Sequence, residues 1–191
     1  MPDLVAHLRD LAKTATLAAD TLGPSIEKAA AMVQAAVDRG GTLFFCGNGG
    51  SAADAQHLAT EYVVRYQRER RAIAAIALTT DTSLLTAAAN DYSFDLIFAR
   101  QIEALGKPGD LLVMHTTSGK SANLLRAAEV AKQKGLATLA LSAKGGGPIA
   151  GVVDHCIVIP TDRTDRAQEI QMAIQHAICD QVDAKAAVSA K

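Results

Sequence analysis

The 191-residue chain contains no tryptophan and only seven aromatic residues, three tyrosines and four phenylalanines. A core built mainly on large rings is therefore excluded. Cysteine is scarce as well: Cys46, Cys156 and Cys179 are odd in number, far apart and in no CxxC arrangement. This excludes a disulfide framework and points to reduced thiols in a cytosol-like compartment, with the cysteines as small core residues. Neither sign of charge is in excess, because 19 Lys and Arg stand against 20 Asp and Glu for a net charge of −1. The chain thus lacks a broad electrostatic footprint for nucleic acid or an acidic membrane. Its one basic cluster, Arg65, Arg68, Arg70 and Arg71 with Glu69 inside it, reads as a solvated helix end. No run approaches the ~18 apolar residues of a membrane span. Asp3 stands where an export signal would carry a basic region before an apolar stretch, so no such signal is expected.

What is abundant is alanine, with 38 residues. Such a composition suits helices that meet closely over small side chains. Residues 3–22 read as an amphipathic helix with Leu4, Leu8, Leu11 and Ala15 at helical spacing and Gly23-Pro24 as its stop. A second helix is expected over 25–39, with Ser25 as N-cap and Gly40-Gly41 beyond its end. The pattern then changes to short apolar runs at 42–46, 73–78, 111–115, 137–141 and 156–159. Between them lie helical stretches at 51–66, 83–105 (broken near Asn90), 121–134 and 164–186. Strands alternating with helices imply right-handed crossovers and a mainly parallel sheet covered on both faces. The expected fold is a three-layer αβα sandwich with a five-stranded parallel sheet from about residue 41. A two-helix N-terminal arm (1–40) precedes it, and 187–191 form a tail.

In such sheets ligands bind beyond the carboxyl ends of the strands. Two loops there have the chemistry of an anion site. Gly47-Asn48-Gly49-Gly50-Ser51 joins a strand to a helix, where glycines admit a close backbone approach and free N–H groups offer partial positive charge. A plain tight turn explains the same glycines. Thr116-Thr117-Ser118-Gly119-Lys120-Ser121 sets four hydroxyls, a glycine and a lysine before another helix, a nest suited to one phosphate. Its Gly-Lys-Ser end is not a nucleotide-binding P-loop, because Met114 stands where the first glycine is required. His57 and Glu61, four apart, share one helix face, which serves either a metal and base or a simple surface pair. Gln168, Glu169 and His176 lie on the helix at 164–186. Gln168 and His176 are about 80° apart around it and ~12 Å apart along it, an awkward offset for one small ion. His115 ends a strand beside the hydroxyl loop and reads as a packed histidine.

Taken together, Cys46–Ser51, the His57/Glu61 pair, Asn90-Asp91, Thr116–Ser121 with Ala122-Asn123, and Asp165-Arg166-x-Gln168-Glu169 with His176 resemble the phosphoheptose isomerases of the sugar-isomerase (SIS) domain superfamily. The resemblance spans nearly the whole chain. It implies a single SIS domain, a cytoplasmic homotetramer with active sites at subunit interfaces, one zinc ion per site and a phosphorylated seven-carbon sugar as substrate. The implied reaction converts sedoheptulose 7-phosphate to D-glycero-D-manno-heptose 7-phosphate, which opens bacterial heptose biosynthesis for lipopolysaccharide. Carried over by position, the zinc ligands are His57, Glu61, Gln168 and His176, and the acid/base pair is Glu61 and His176. Substrate contacts fall on Asn48, Gly49, Gly50, Ser51, Glu61, Asn90, Asp91, Thr116, Thr117, Ser118, Ser121 and Gln168. Asp165 is a weaker carry-over. Many members have Ser-Thr-Ser where this chain has Thr116-Thr117-Ser118, which keeps the hydroxyl and adds a methyl group. Two relatives of other kinds share the glycine loop: a non-catalytic protein that binds the replication initiator, and sugar-phosphate-sensing regulators. The presence of His176 with Glu61, and the lack of a helix-turn-helix segment, favour the enzyme. The alanines at 12, 15, 18 and 19 and at 29–31, 35 and 36 then predict close packing of the arm against another subunit.

Overall fold

The computed structural model describes residues 3–188. In chain order the elements are α1 (Leu4–Asp38), β1 (Leu43–Gly47), α2 (Gly50–Val63), β2 (Ala75–Ala77), α3 (Thr82–Asp91), α4 (Ala99–Leu105), β3 (Leu111–His115), α5 (Ala122–Gln133), β4 (Ala137–Ser142), β5 (His155–Val158) and α6 (Thr164–Val188). Single 3-10 turns lie at Phe94–Leu96 and Pro148–Gly151. The break expected near Asn90 is the end of α3. Of the expected tail, residues 187 and 188 continue α6, and 189–191 lie outside the described residues.

The five strands form one parallel sheet in the order β2-β1-β3-β4-β5. β1 and β3 are buried along their whole length, as their near-continuous apolar sequences require in a sheet covered on both faces. Successive side chains point to opposite faces, and the core divides accordingly. Leu43, Phe45, Leu111, Val113, Leu139 and Leu141 pack with residues of α1, α2 and α6. Phe44, Cys46, Leu112, Met114 and Ala140 pack with residues of α3, α4 and α5. The three-layer αβα sandwich is thus present. Cys46 and Cys179 are buried, Cys156 is half-buried, and all three are free thiols. No helix among the described residues is long and apolar enough to cross a membrane.

The arm differs from the expectation of two helices. It is one 35-residue helix that passes through Gly23 and Pro24. A proline inside a helix forfeits a hydrogen bond and costs about 3 kcal/mol. Packing outweighs that loss: Ala29, Ala30, Val33, Ala36 and Val37 are buried against the sheet's first face. Ser25 is not an N-cap; its hydroxyl and carbonyl lie 3.1 and 2.8 Å from Nε2 of His155 on β5. The true N-cap is Asp3, which accepts from the N–H groups of Val5 and Ala6. Of the arm's C-terminal alanines, Ala29, Ala30 and Ala36 therefore serve this chain's own core, Ala35 is half-buried and Ala31 is exposed. In the N-terminal half Ala12, Ala15 and Ala19 are exposed, as are Leu4, Val5, Leu8 and Leu17.

A candidate active site at the switch point of the sheet

The strand order reverses direction between β1 and β3, whose last residues, Gly47 and His115, are paired in register. A crevice outside two such strand ends is where an open parallel sheet takes its ligand. A cavity of about 180 Å³ lies here, lined by Asn48, Ser51, His115, Thr116, Thr117, Ser118, Ser121, Thr164 and Gln168. Ser51 is in the first turn of α2, Ser121 is the N-cap of α5, and Thr164 begins α6. Three helix N-termini therefore converge on one small polar space, each contributing free N–H groups and partial positive charge. No lysine or arginine lines it, and Lys120 is exposed.

The hydroxyls divide by role. Thr116 Oγ1 accepts from the Gly119 N–H at 3.1 Å, and Ser118 Oγ accepts from the Lys120 N–H at 3.3 Å, which shapes the loop. Those of Ser51, Thr117 and Ser121 make no hydrogen bond within the described residues and are available to a ligand. The two loops are tied together by reciprocal amide bonds between Asn48 and Asn123 at 3.0 and 2.9 Å. The Gln168 amide lies flush on Gly50, where an added Cβ would stand 2.7 Å from its Nε2.

Beneath the hydroxyl loop sits a buried polar layer. Gln171 of α6 donates to the carbonyls of Thr116 at 2.6 Å and Leu141 at 3.0 Å, so one side chain holds the ends of β3 and β4. Gln175, one turn on, lies 3.2 Å from His115 Nε2. Burial pushes the His115 imidazole down to about 4, against an ordinary value near 6.5. The unfolded chain thus takes up a proton between pH 6.5 and 4 that the folded chain refuses. The folded-state advantage is full above pH 6.5 and is lost as pH falls through that window. Urea unfolding of a His115→Gln variant should show about 2 kcal/mol less loss of stability between pH 7 and 5 than the parent. Equal losses would remove His115 from this role.

Farther along the same two helices, α2 and α6 bring His57, Glu61 and His176 together, with one donor atom from each within 4.8 Å of the others. The two Nε2 atoms are 3.0 Å apart, and His57 Nε2 is 3.3 Å from Glu61 Oε1. Burial, then the neighbouring His57, lowers the His176 pKa, with Glu61 opposing both; the ring stacks on Tyr66 at 5.5 Å. Asp54, one turn before His57, has its pKa raised by burial, and its Oδ2 has no hydrogen-bond partner. Two facing imidazole nitrogens and a carboxylate form a donor set of the kind that divalent zinc takes. The three side chains can therefore hold a metal ion, and this one chain brings them together.

Not every expected residue is gathered here. Gln168 lines the cavity with its amide over Gly50, at the opposite end of the helix run from His176. Asn90 and Asp91 end α3, are exposed and bond to each other at 2.8 Å; neither lines the cavity. Asp165 is held below the ordinary carboxylate range, first by the Arg163 guanidinium. Thr164, Gln171 and Gln175 were not expected at the site. Thr164 had a usable signal, a hydroxyl opening a helix, whereas the two glutamines carry no local signature.

A family model for the SIS domain matches residues 7–143. The phosphoheptose isomerase of Thiobacillus denitrificans is 46% identical over 183 residues, covering 94% of this chain and 93% of that protein. That of Paramagnetospirillum magneticum is 54% identical over 159 residues, covering 82% of this chain and 83% of that one. The solved phosphoheptose isomerase of Neisseria gonorrhoeae superposes with a TM-score of 0.90 at 40% identity, over 95% of this chain and 97% of that one. The chain therefore belongs to the SIS domain family and, within it, to the phosphoheptose isomerases, which are enzymes.

Proposed function

We propose that this enzyme interconverts sedoheptulose 7-phosphate and D-glycero-D-manno-heptose 7-phosphate, the entry reaction of bacterial heptose biosynthesis for lipopolysaccharide. The observation that carries the reading is that the same two helices link an anion cavity to a His/Glu/His group. Ser51 to His57 spans about 9 Å of α2, and Gln168 to His176 spans about 12 Å of α6. A sugar phosphate laid along them has its phosphate among the hydroxyls and its carbonyl end at His57, Glu61 and His176. The names of the relatives support the substrate class.

Ketose–aldose isomerisation moves a proton between C1 and C2 through an enediol(ate). Glu61 is the base that takes the carbon proton and returns it to the neighbouring carbon. His176 moves the proton between the two oxygens. Asn48, Gly49, Gly50, Ser51, Thr116, Thr117, Ser118, Ser121 and Gln168 bind and orient the phosphate and the adjoining chain. His57, Glu61 and His176 would hold zinc, whereas Gln168, expected as a fourth donor, lies at the phosphate cavity and serves the substrate; a carboxylate has two oxygens, so Glu61 can serve both roles. Bound zinc supplies Lewis-acid polarisation of the substrate oxygens.

Within the 1–40 arm, the N-terminal half of α1 is the oligomerisation surface of a cytoplasmic homotetramer, while its C-terminal half packs on the 41–186 core. The exposed leucines and alanines of the N-terminal half of α1 support that assignment. Exposed Asn90 and Asp91 complete a site on a neighbouring subunit. Purified protein assayed with sedoheptulose 7-phosphate should turn over, lose activity with chelator and regain it with added zinc. No turnover in any condition would favour a non-catalytic sugar-phosphate binder. Turnover indifferent to chelator would keep the isomerase and reject essential zinc.

A further inference from the structure

Arg70 follows α2 in an irregular segment, yet its side chain is wholly buried. Its donors are almost fully used. Nη2 donates to the Glu61 carbonyl at 2.7 Å, and Nη1 donates to the carbonyls of Tyr62 and Arg71, each at 2.9 Å. Glu61 and Tyr62 belong to the final turn of α2, whose carbonyls have no partner within the helix. The remaining direction of the fork, Nε, donates to Asp183 Oδ1 at 2.7 Å. Asp183 lies on α6 seven residues beyond His176, about two turns along the same face. Its other oxygen accepts from the N–H groups of Arg68 at 2.7 Å and Gln67 at 3.2 Å. The carboxylate, like the guanidinium, is fully buried.

One side chain thus bonds the backbone of Glu61 itself and anchors it to the helix that carries His176. As a means of stability alone this is a poor arrangement, because an apolar pair of similar volume generally stabilises as well or better than a buried ion pair. What an apolar pair cannot do is grip two carbonyls at the end of α2. We propose that Arg70 and Asp183 are positioning residues that fix the end of α2 against α6 and so hold His57, Glu61 and His176 at metal-binding distance. The proposal rests on the reading of those three side chains as the metal and proton-transfer group.

The test is the double variant Arg70→Met/Asp183→Leu, which removes both charges and preserves packing. The metal-stripped protein is titrated with Co²⁺ and Zn²⁺, and melting temperature, kcat and KM are measured beside it. Metal affinity and kcat should each fall roughly 10- to 100-fold, the scale of lost outer-shell support at metal sites. The Co²⁺ absorption should change while KM stays close to the parent's, because the phosphate cavity is built from other residues. The melting temperature should fall as well, because the backbone groups that the pair held lose their partners, so the metal titration and the kcat-against-KM split carry the test. Unchanged metal affinity and kcat in the folded double variant would overturn the proposal. Arg70→Lys, which keeps the charge but loses the fork, should show the same two losses should the double variant fail to fold; parental values there would also overturn it. A parent protein that takes up no metal and has no turnover would instead defeat the underlying reading, and with it this proposal.

Discussion

Glu61→Gln should lower kcat by roughly 10²–10⁴-fold, the range for loss of a positioned general base. The amide has nearly the shape of the carboxylate, so packing around the half-buried side chain survives. What disappears is the proton acceptor and the negative charge beside His57 and His176. The phosphate cavity does not include Glu61, so competition by inorganic phosphate should be unchanged. Steady-state assays with and without phosphate separate the two effects. Turnover near the parent's would remove Glu61 from the role of base.

Gly119→Ala should be the most damaging single-methyl change in the phosphate loop. Gly119 has φ +66°, and an added Cβ would lie 2.0 Å from the Gly146 carbonyl oxygen. That obstacle is backbone and cannot swing aside. Opposite it, a Cβ on Gly147 would meet the Ser118 carbonyl at 2.2 Å, so the segments approach closely because neither bears a side chain there. The left-handed conformation costs a non-glycine residue about 1–2 kcal/mol, and the displaced loop adds to it, for a total of about 2–4 kcal/mol. In a chain of this length that lowers the melting temperature by roughly 4–15 °C. The Gly119 N–H also leaves Thr116 Oγ1, so KM for the sugar phosphate should rise at least about tenfold, the equivalent of one charge-assisted hydrogen bond. Thermal melts and KM measurements check both; parental values for both would show that the loop's close approach does not shape the cavity.

The readability of this molecule from its sequence follows the range of the interactions involved. Strands such as 111–115 were legible because continuous burial leaves an apolar run bounded by turn residues. The glycine and hydroxyl loops were legible because the residue types that bind anions are also those that end strands and open helices. His57 and Glu61 were visible as a one-turn pair, but their union with His176 joins residues 119 positions apart. Only the family resemblance pointed to it. The Gln171 bonds to the two strand ends and the Arg70–Asp183 clamp span 55, 30 and 113 positions and leave no periodic trace. The arm was misread for the opposite reason: Gly23-Pro24 is a strong local stop signal, overridden by the burial of Ala29, Ala30 and Val33 against the sheet.

The division of the site between α2 and α6 also sets a timetable during synthesis. His57 and Glu61 are made 119 and 115 residues before His176. At translation rates of about 5–20 residues per second, that interval is on the order of 6–24 s. For nearly all of it the nascent chain carries the glycine loop and two of the three residues of the His/Glu/His group, with neither Gln168 nor Asp183 yet made. The His57, Glu61 and His176 group is therefore complete only once the α6 segment has been made.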